Sequence, residues 1–158
     1  MTEAGSAFLA WIGQALVVGA GWYVVHRLTV NRDIDKARRE TVVKSTDSLS
    51  EDIGKLLLEA RTYHSNARDI SAELRLKMAL QDVAIKVNGL SDIFLEAPLL
   101  AQARSQILAL RKATTGNHFE DEHLQPLDNA SPQFQLMAEA ALELKRSLLK
   151  IKNRQFNT

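Results

Sequence analysis

The sequence predicts an all-α fold, with one N-terminal transmembrane helix continuing into a cytoplasmic antiparallel helical bundle. Three observations carry that expectation. Residues Ala7 to Val25 hold no charge, and Gln14 is the only plainly polar side chain among them. Beyond them, apolar residues recur at spacings of three and four, the period of one helix face. No pair of alternating runs flanks a hairpin turn, so nothing points to a sheet.

The first element follows from its length. Nineteen uncharged residues at about 1.5 Å rise cover roughly 29 Å, the thickness of a bilayer core. A helix of that length in a soluble core would show a polar face, and this run shows none. A cleaved signal peptide would need a basic leader, whereas Met1–Ser6 carries no Lys or Arg. Arg27, Arg32, Lys36, Arg38 and Arg39 follow the run and nothing basic precedes it. That bias predicts a single-pass protein of the bacterial inner membrane, N-terminus out and C-terminus cytoplasmic, with the five cations near anionic headgroups. Trp11 at one end and Trp22 with Tyr23 at the other fit two aromatic belts. The expected organisation is a short extracytoplasmic N-terminus over 1–6, the span over 7–25, a basic juxtamembrane helical stalk over 26–48 and a helical bundle over 49–158.

The bundle elements follow in order. Leu49, Ile53, Leu56, Ala60, Tyr63, Ala67 and Ile70 step by four and three, an a/d seam on the first long helix. A second helix is expected over Asp69 to Val87, with Ile70, Leu74, Met78, Ile85 and Val87 inward and Asn88-Gly89 ending it. Pro98 opens a third at its N1 position, with Leu100, Ala103, Ile107 and Leu110 inward until Thr114-Thr115-Gly116. Ser131-Pro132 reads as N-cap and N1 of a fourth, whose seam is Phe134, Met137, Ala141, Leu144, Leu148 and Ile151.

Composition narrows the chemistry. With 25% charged and 46% hydrophobic residues, the body is neither disordered nor fibrous. Zero cysteines excludes disulfides and thiol chemistry. A net charge of +1 supplies no bulk drive towards nucleic acid.

In the N-terminal helix, Ser6, Ala10, Gly13, Val17, Ala20 and Val24 form one stripe of mostly small residues. Small residues let membrane helices approach closely, so this stripe is the expected self-association face of a homo-oligomer. Gln14 beside it prefers an amide partner or a wet lumen to lipid, which makes it the candidate pore-lining residue.

Three constellations are candidates for chemistry. The loop Asn117 to His123 sets two histidines around three carboxylates, but it follows Gly116 and precedes Pro126 and reads as a solvated acidic loop. Arg111 and His118, with six residues between them, resemble the Arg/His signature of HEPN-type helical ribonucleases. With 11 Arg and four His in the chain, that spacing is expected by chance. Lys145, Arg146, Lys150, Lys152 and Arg154 complement a helix C-terminus. His64 reads as a packed histidine beside Tyr63. No catalytic, cofactor or metal residues are assigned, and the chain does not read as an enzyme.

The stretch GWYVVHRLTVNRDIDKARRE, Gly21 to Glu40, resembles small bacterial proteins in which one N-terminal span meets a basic segment and a helical domain. Among them is the membrane pore accessory protein of type VI CRISPR antiphage systems. That resemblance implies a homo-oligomeric inner-membrane effector, pore-forming or membrane-perturbing, that answers a cytoplasmic partner in antiviral defence. The other expectation is a single-span anchor whose helical domain recruits or regulates a soluble partner protein.

Overall fold

The computed structural model describes the backbone of residues 3–116, 119–121 and 125–156, with side chains from residue 19 onward. Among the described residues the chain is helical, with no strand. The helices are α1 (Glu3–Ser65), α2 (Ile70–Gly89), α3 (Ala97–Thr114) and α4 (Pro132–Arg154), and a 3-10 turn, Leu90–Asp92, follows α2. Two compact units divide the chain, Met1–Arg39 and Glu40–Thr158.

The first unit consists of the N-terminal part of α1. From Gly19 onward its side chains are exposed, including Trp22, Tyr23, Val24, Leu28 and Ile34. The Trp22 ring stacks on His26 one turn later, with centroids 5.1 Å apart, and the Thr29 hydroxyl donates to the Val25 carbonyl at 2.9 Å.

The membrane placement is corrected here. Among the described residues no helix is long and apolar enough to cross a membrane. Within the uncharged run, side chains are described for Gly19 to Val25, about 10 Å of the helix. Arg27, Arg32, Asp33, Asp35, Lys36, Arg38 and Arg39 follow within four turns. The transmembrane, single-pass and pore expectations are withdrawn, and with them the inner-membrane localisation and its topology. The side chains of Ser6, Ala10, Gly13, Gln14 and Val17 lie outside the described residues. Of the proposed stripe, Ala20 and Val24 are described, and both are exposed.

The second unit is an up-down-up-down four-helix bundle, and its cross-helix bonds show the directions. Asp52 pairs with Lys86 at 2.9 Å, and the Tyr63 hydroxyl donates to Glu73 at 2.9 Å, so α1 and α2 run antiparallel. Asp47 meets Lys152 at 2.7 Å while Arg61 sits 5.5 Å above the Phe134 ring, so α4 returns along α1. Arg104 donates to Asn88 at 3.1 Å between α2 and α3. Between α3 and α4, Gln133 donates to the Ala113 carbonyl and Arg154 pairs with Glu96 at 2.6 Å. Exposed pairs of this kind contribute about 0–1 kcal/mol each, so they mark the register more than they hold it.

Apolar burial holds the bundle. Val42, Leu49, Ile53, Leu56, Ala60 and Tyr63 of α1 face Leu100, Ala103, Ile107 and Leu110 of α3 and Met137, Ala141, Leu144, Leu148 and Ile151 of α4 in one core cluster. Every inward position expected for α3 is buried. So is every one expected for α4 except Phe134, which packs half-buried at the edge. Both helices start as expected: Pro98 lies in the first turn of α3, and the Ser131 side chain accepts from the Gln133 N–H to cap α4. Gly116 follows α3 where Gln133 comes close; a Cβ there would lie 3.1 Å from the Gln133 amide nitrogen.

Helix α2 is turned differently from expectation. Its buried residues are Glu73, Leu76, Leu80, Val83 and Val87, while Ile70, Leu74, Met78 and Ile85 are exposed. Of the expected inward set, Val87 alone holds. The α1 seam likewise ends at Tyr63, because the helix stops at Ser65 and Ala67 falls in the connecting turn. Asn88-Gly89 does end α2, whose last residue is Gly89. Gly89 keeps a right-handed φ of −64°, and the chain tightens into the 3-10 turn that buries Leu90.

The Ser147 hydroxyl is buried in α4 without a hydrogen-bond partner. A buried hydroxyl without a partner costs free energy that an alanine avoids. Ser147→Ala is therefore expected to leave the stability unchanged or raise it by up to about 1 kcal/mol. A urea midpoint that falls instead would show the hydroxyl to be satisfied.

Candidate interaction surface

Two features of the bundle stand apart from plain core packing. The first is a polar clasp at the end where α1 and α3 finish and α2 begins. Asp69 caps α2, its carboxylate accepting from the Ser71 N–H at 2.9 Å and from the Ser71 hydroxyl at 2.6 Å. Those bonds hold its carboxyl below the usual range. One turn on, Glu73 points inward and is almost fully buried. It accepts from Arg68 Nε at 2.8 Å and from the Tyr63 hydroxyl at 2.9 Å.

The Arg68 guanidinium is the main reason the Glu73 carboxyl is held below its ordinary range; burial opposes this and the Tyr63 bond assists it. Burial, and then the bond to Glu73, push the Tyr63 phenol above its ordinary value. Beside them His64 is 1% exposed, its Nε2 2.9 Å from the Thr114 carbonyl, and its own carbonyl accepts from the Leu127 N–H at 2.7 Å. His64 thus ties the ends of α1 and α3 to the segment that leads into α4. The bonds of Glu73 and His64 join the ends of α1, α2 and α3, so the geometry of the clasp serves the fold.

The second feature lies on the outside. Ile70, Leu74, Met78 and Ile85 are 72%, 59%, 62% and 60% exposed. At 100° per residue they fall within an arc of about 80° on α2. That arc lies away from the side that fills the core, so α2 is apolar on two faces. Next to this ridge, α2 and α3 enclose a groove of about 660 Å³ whose lining includes Leu80, Ala84, Ile85, Ile107, Leu108 and Arg111. Leu108, 66% exposed, carries the apolar surface onto α3.

The charge of this surface is one-sided. Between Ala97 and Thr114, α3 has no Asp or Glu, and Arg104, Arg111 and Lys112 stand exposed on it. No ion pair joins these three to a carboxylate among the described residues. At one end of the groove the turn after α3 adds Phe119 and Glu120. The Phe119 ring packs 5.4 Å from Tyr63 and lies 5.7 Å under the Lys77 ammonium, while the Glu120 carboxylate pairs with Lys77. Glu120 adopts a left-handed φ of 64°, which costs a non-glycine residue about 1 kcal/mol. Its N–H approaches the Tyr63 hydroxyl at 3.4 Å in return.

Arg111 lies on the groove wall, while His118 falls outside the described residues, as do Glu122 and His123 of the acidic loop. Among the described residues no three His, Asp or Glu side chains cluster as metal ligands would. Of the basic C-terminal set, Lys152 and Arg154 bind across helices and Arg146 pairs with Glu143 within α4. The exposed ridge was visible in the sequence as residues but was assigned to the core. The competing set Leu76, Leu80, Val83, Val87 and Leu90, spaced by four and three, is the sequence signal that could have marked the true inner face.

No protein-family model, curated protein or solved structure matches the chain.

Proposed function

We propose that this chain is a helical interaction module, whose bundle recruits or regulates a protein partner through the outer face of α2. The observation that carries this reading is the second apolar face of α2. A helix that already fills a core with one side gains nothing by showing water four large apolar residues on the other. Burying such a side chain is worth about 1.5–3 kcal/mol, so the ridge has ample driving force for association. Contiguous apolar surface of this kind marks interaction sites.

A photo-cross-linking residue placed at Met78 of the full chain in its native host should yield a discrete adduct. The same residue at Glu139, on the outside of α4, should not. The adduct should vanish with Leu74→Ser, while the urea midpoint of the purified variant stays within about 0.5 kcal/mol of the parent, as expected for an exposed site. Equal labelling at both positions, or none at Met78, would overturn the module.

A further inference from the structure

We propose, resting on the interaction-module reading, that the partner's binding element is an acidic amphipathic helix lying along the groove between α2 and α3. The chemistry of the two walls selects it. The α2 wall presents Leu80, Ala84 and Ile85, with Lys77, Gln81 and Asn88 among them; Ile85 joins the groove to the exposed ridge of Ile70, Leu74 and Met78, which from Ile70 to Ile85 rises roughly 22 Å, four turns of a partner helix. The α3 wall offers Leu108 between Arg104 and Arg111, with Lys112 beside them and no acid along the helix. An apolar seam flanked on one side by carboxylates matches both walls at once, which is the helix-in-groove mode of recognition. A basic or neutral helix meets the ridge equally well but brings no carboxylate to the three cations, or brings them like charge.

The chain itself shows the chemistry on a small scale. At the end of the groove its own Phe119-Glu120 seats an aromatic ring under Lys77 and a carboxylate on the same ammonium. Glu120 is held in a left-handed conformation to do so. An apolar residue next to a carboxylate is thus already accommodated on this surface, and a partner helix extends the same pattern towards Arg111 and Arg104.

The test uses the full chain and two stapled helical peptides. Both carry leucines at i, i+4, i+7 and i+11; one has glutamates flanking the seam and the other lysines. The glutamate peptide should bind about tenfold or more tighter by calorimetry, a difference of about 1.4 kcal/mol. The preference should shrink at high salt, because the cations are exposed. Arg104→Glu with Arg111→Glu should reverse it, and Ile85→Ser should weaken both peptides. Equal affinities, a lysine preference, no binding of either peptide, or indifference to the Arg104/Arg111 exchange would each overturn the acidic-helix assignment. So would a single-stranded oligonucleotide or anionic vesicles that bind more tightly through the same two arginines. A Met78 adduct that persists alongside any of those results leaves the module standing and removes only its acidic partner; loss of the adduct as well removes both.

Discussion

Leu144→Ala should lower the stability of the bundle by about 3 kcal/mol, within the range of about 2–5 kcal/mol found for buried leucines. Leu144 is wholly buried in the single cluster that joins α1, α3 and α4. Along the antiparallel pair of α1 and α4 it lies about midway between the Asp47–Lys152 ion pair and the contact of Arg61 with Phe134. Side chains on both sides of that level belong to long helices whose backbones are held above and below, so the cavity cannot collapse cheaply. The loss is therefore the transfer free energy of the deleted atoms plus most of the cavity term. Leu142, two residues away and 49% exposed, is the control, and its alanine variant should change stability by less than about 0.5 kcal/mol. Urea unfolding of the full chain checks both: the Leu144 midpoint should fall with an unchanged slope. Equal shifts for the two variants would show that the α4 seam does not face the core.

How far the residues alone reveal this architecture depends on how each helix was marked. Helices α3 and α4 each have a proline in the first turn and one regular apolar stripe, and the rotation that buries the stripe leaves only scattered apolar residues such as Leu108 and Leu142 outside. Their inner faces were legible for that reason. The α1 seam was legible through Tyr63, and Ala67 and Ile70 continue its numerical pattern past the point where the chain turns at Asn66 to Asp69. Helix α2 resisted because its sequence supports two rotations. The rotation it adopts puts a glutamate inside, which periodicity alone penalises. That rotation becomes favourable once Tyr63 from α1 and Arg68 from the preceding turn satisfy Glu73, and these partners converge only in three dimensions. The ridge followed from the same error, since choosing the other face of α2 hides it in the core. The basic wall of α3 could be read as composition, but its place opposite the ridge needed the register of α2 against α3. The N-terminal run misled in another way. Its length and lack of charge argued for a span, yet among the described residues no helix is long and apolar enough to cross a membrane, and charged turns follow directly after Val25.

Glu73 should set the acid limit of stability. Its carboxyl is held below the ordinary range chiefly by Arg68, so the folded state favours the ionised form. A depressed folded value means that the unfolded chain takes up the proton first as pH falls. The stabilisation is thus complete above the unfolded glutamate value of about 4.3 and drains away as pH drops towards and through the folded one. At neutral pH, Glu73→Ala leaves the buried Tyr63 hydroxyl without its acceptor and the Arg68 guanidinium without its carboxylate. The expected cost is about 2 kcal/mol. Arg68 keeps some contact with water, which holds this below the loss for a fully buried ion pair. Glu73→Gln separates charge from shape, because its amide oxygen can still accept from Tyr63 but nothing titrates. The parent should lose stability steeply below about pH 5. In the glutamine variant the part of that loss due to Glu73 should be missing, so the two curves converge on acidification. Urea midpoints of the full chain at a series of pH values decide it. Curves that stay parallel down to pH 3 would mean that the clasp is not held by the ionised carboxylate, and that α2 keeps its rotation through apolar packing alone.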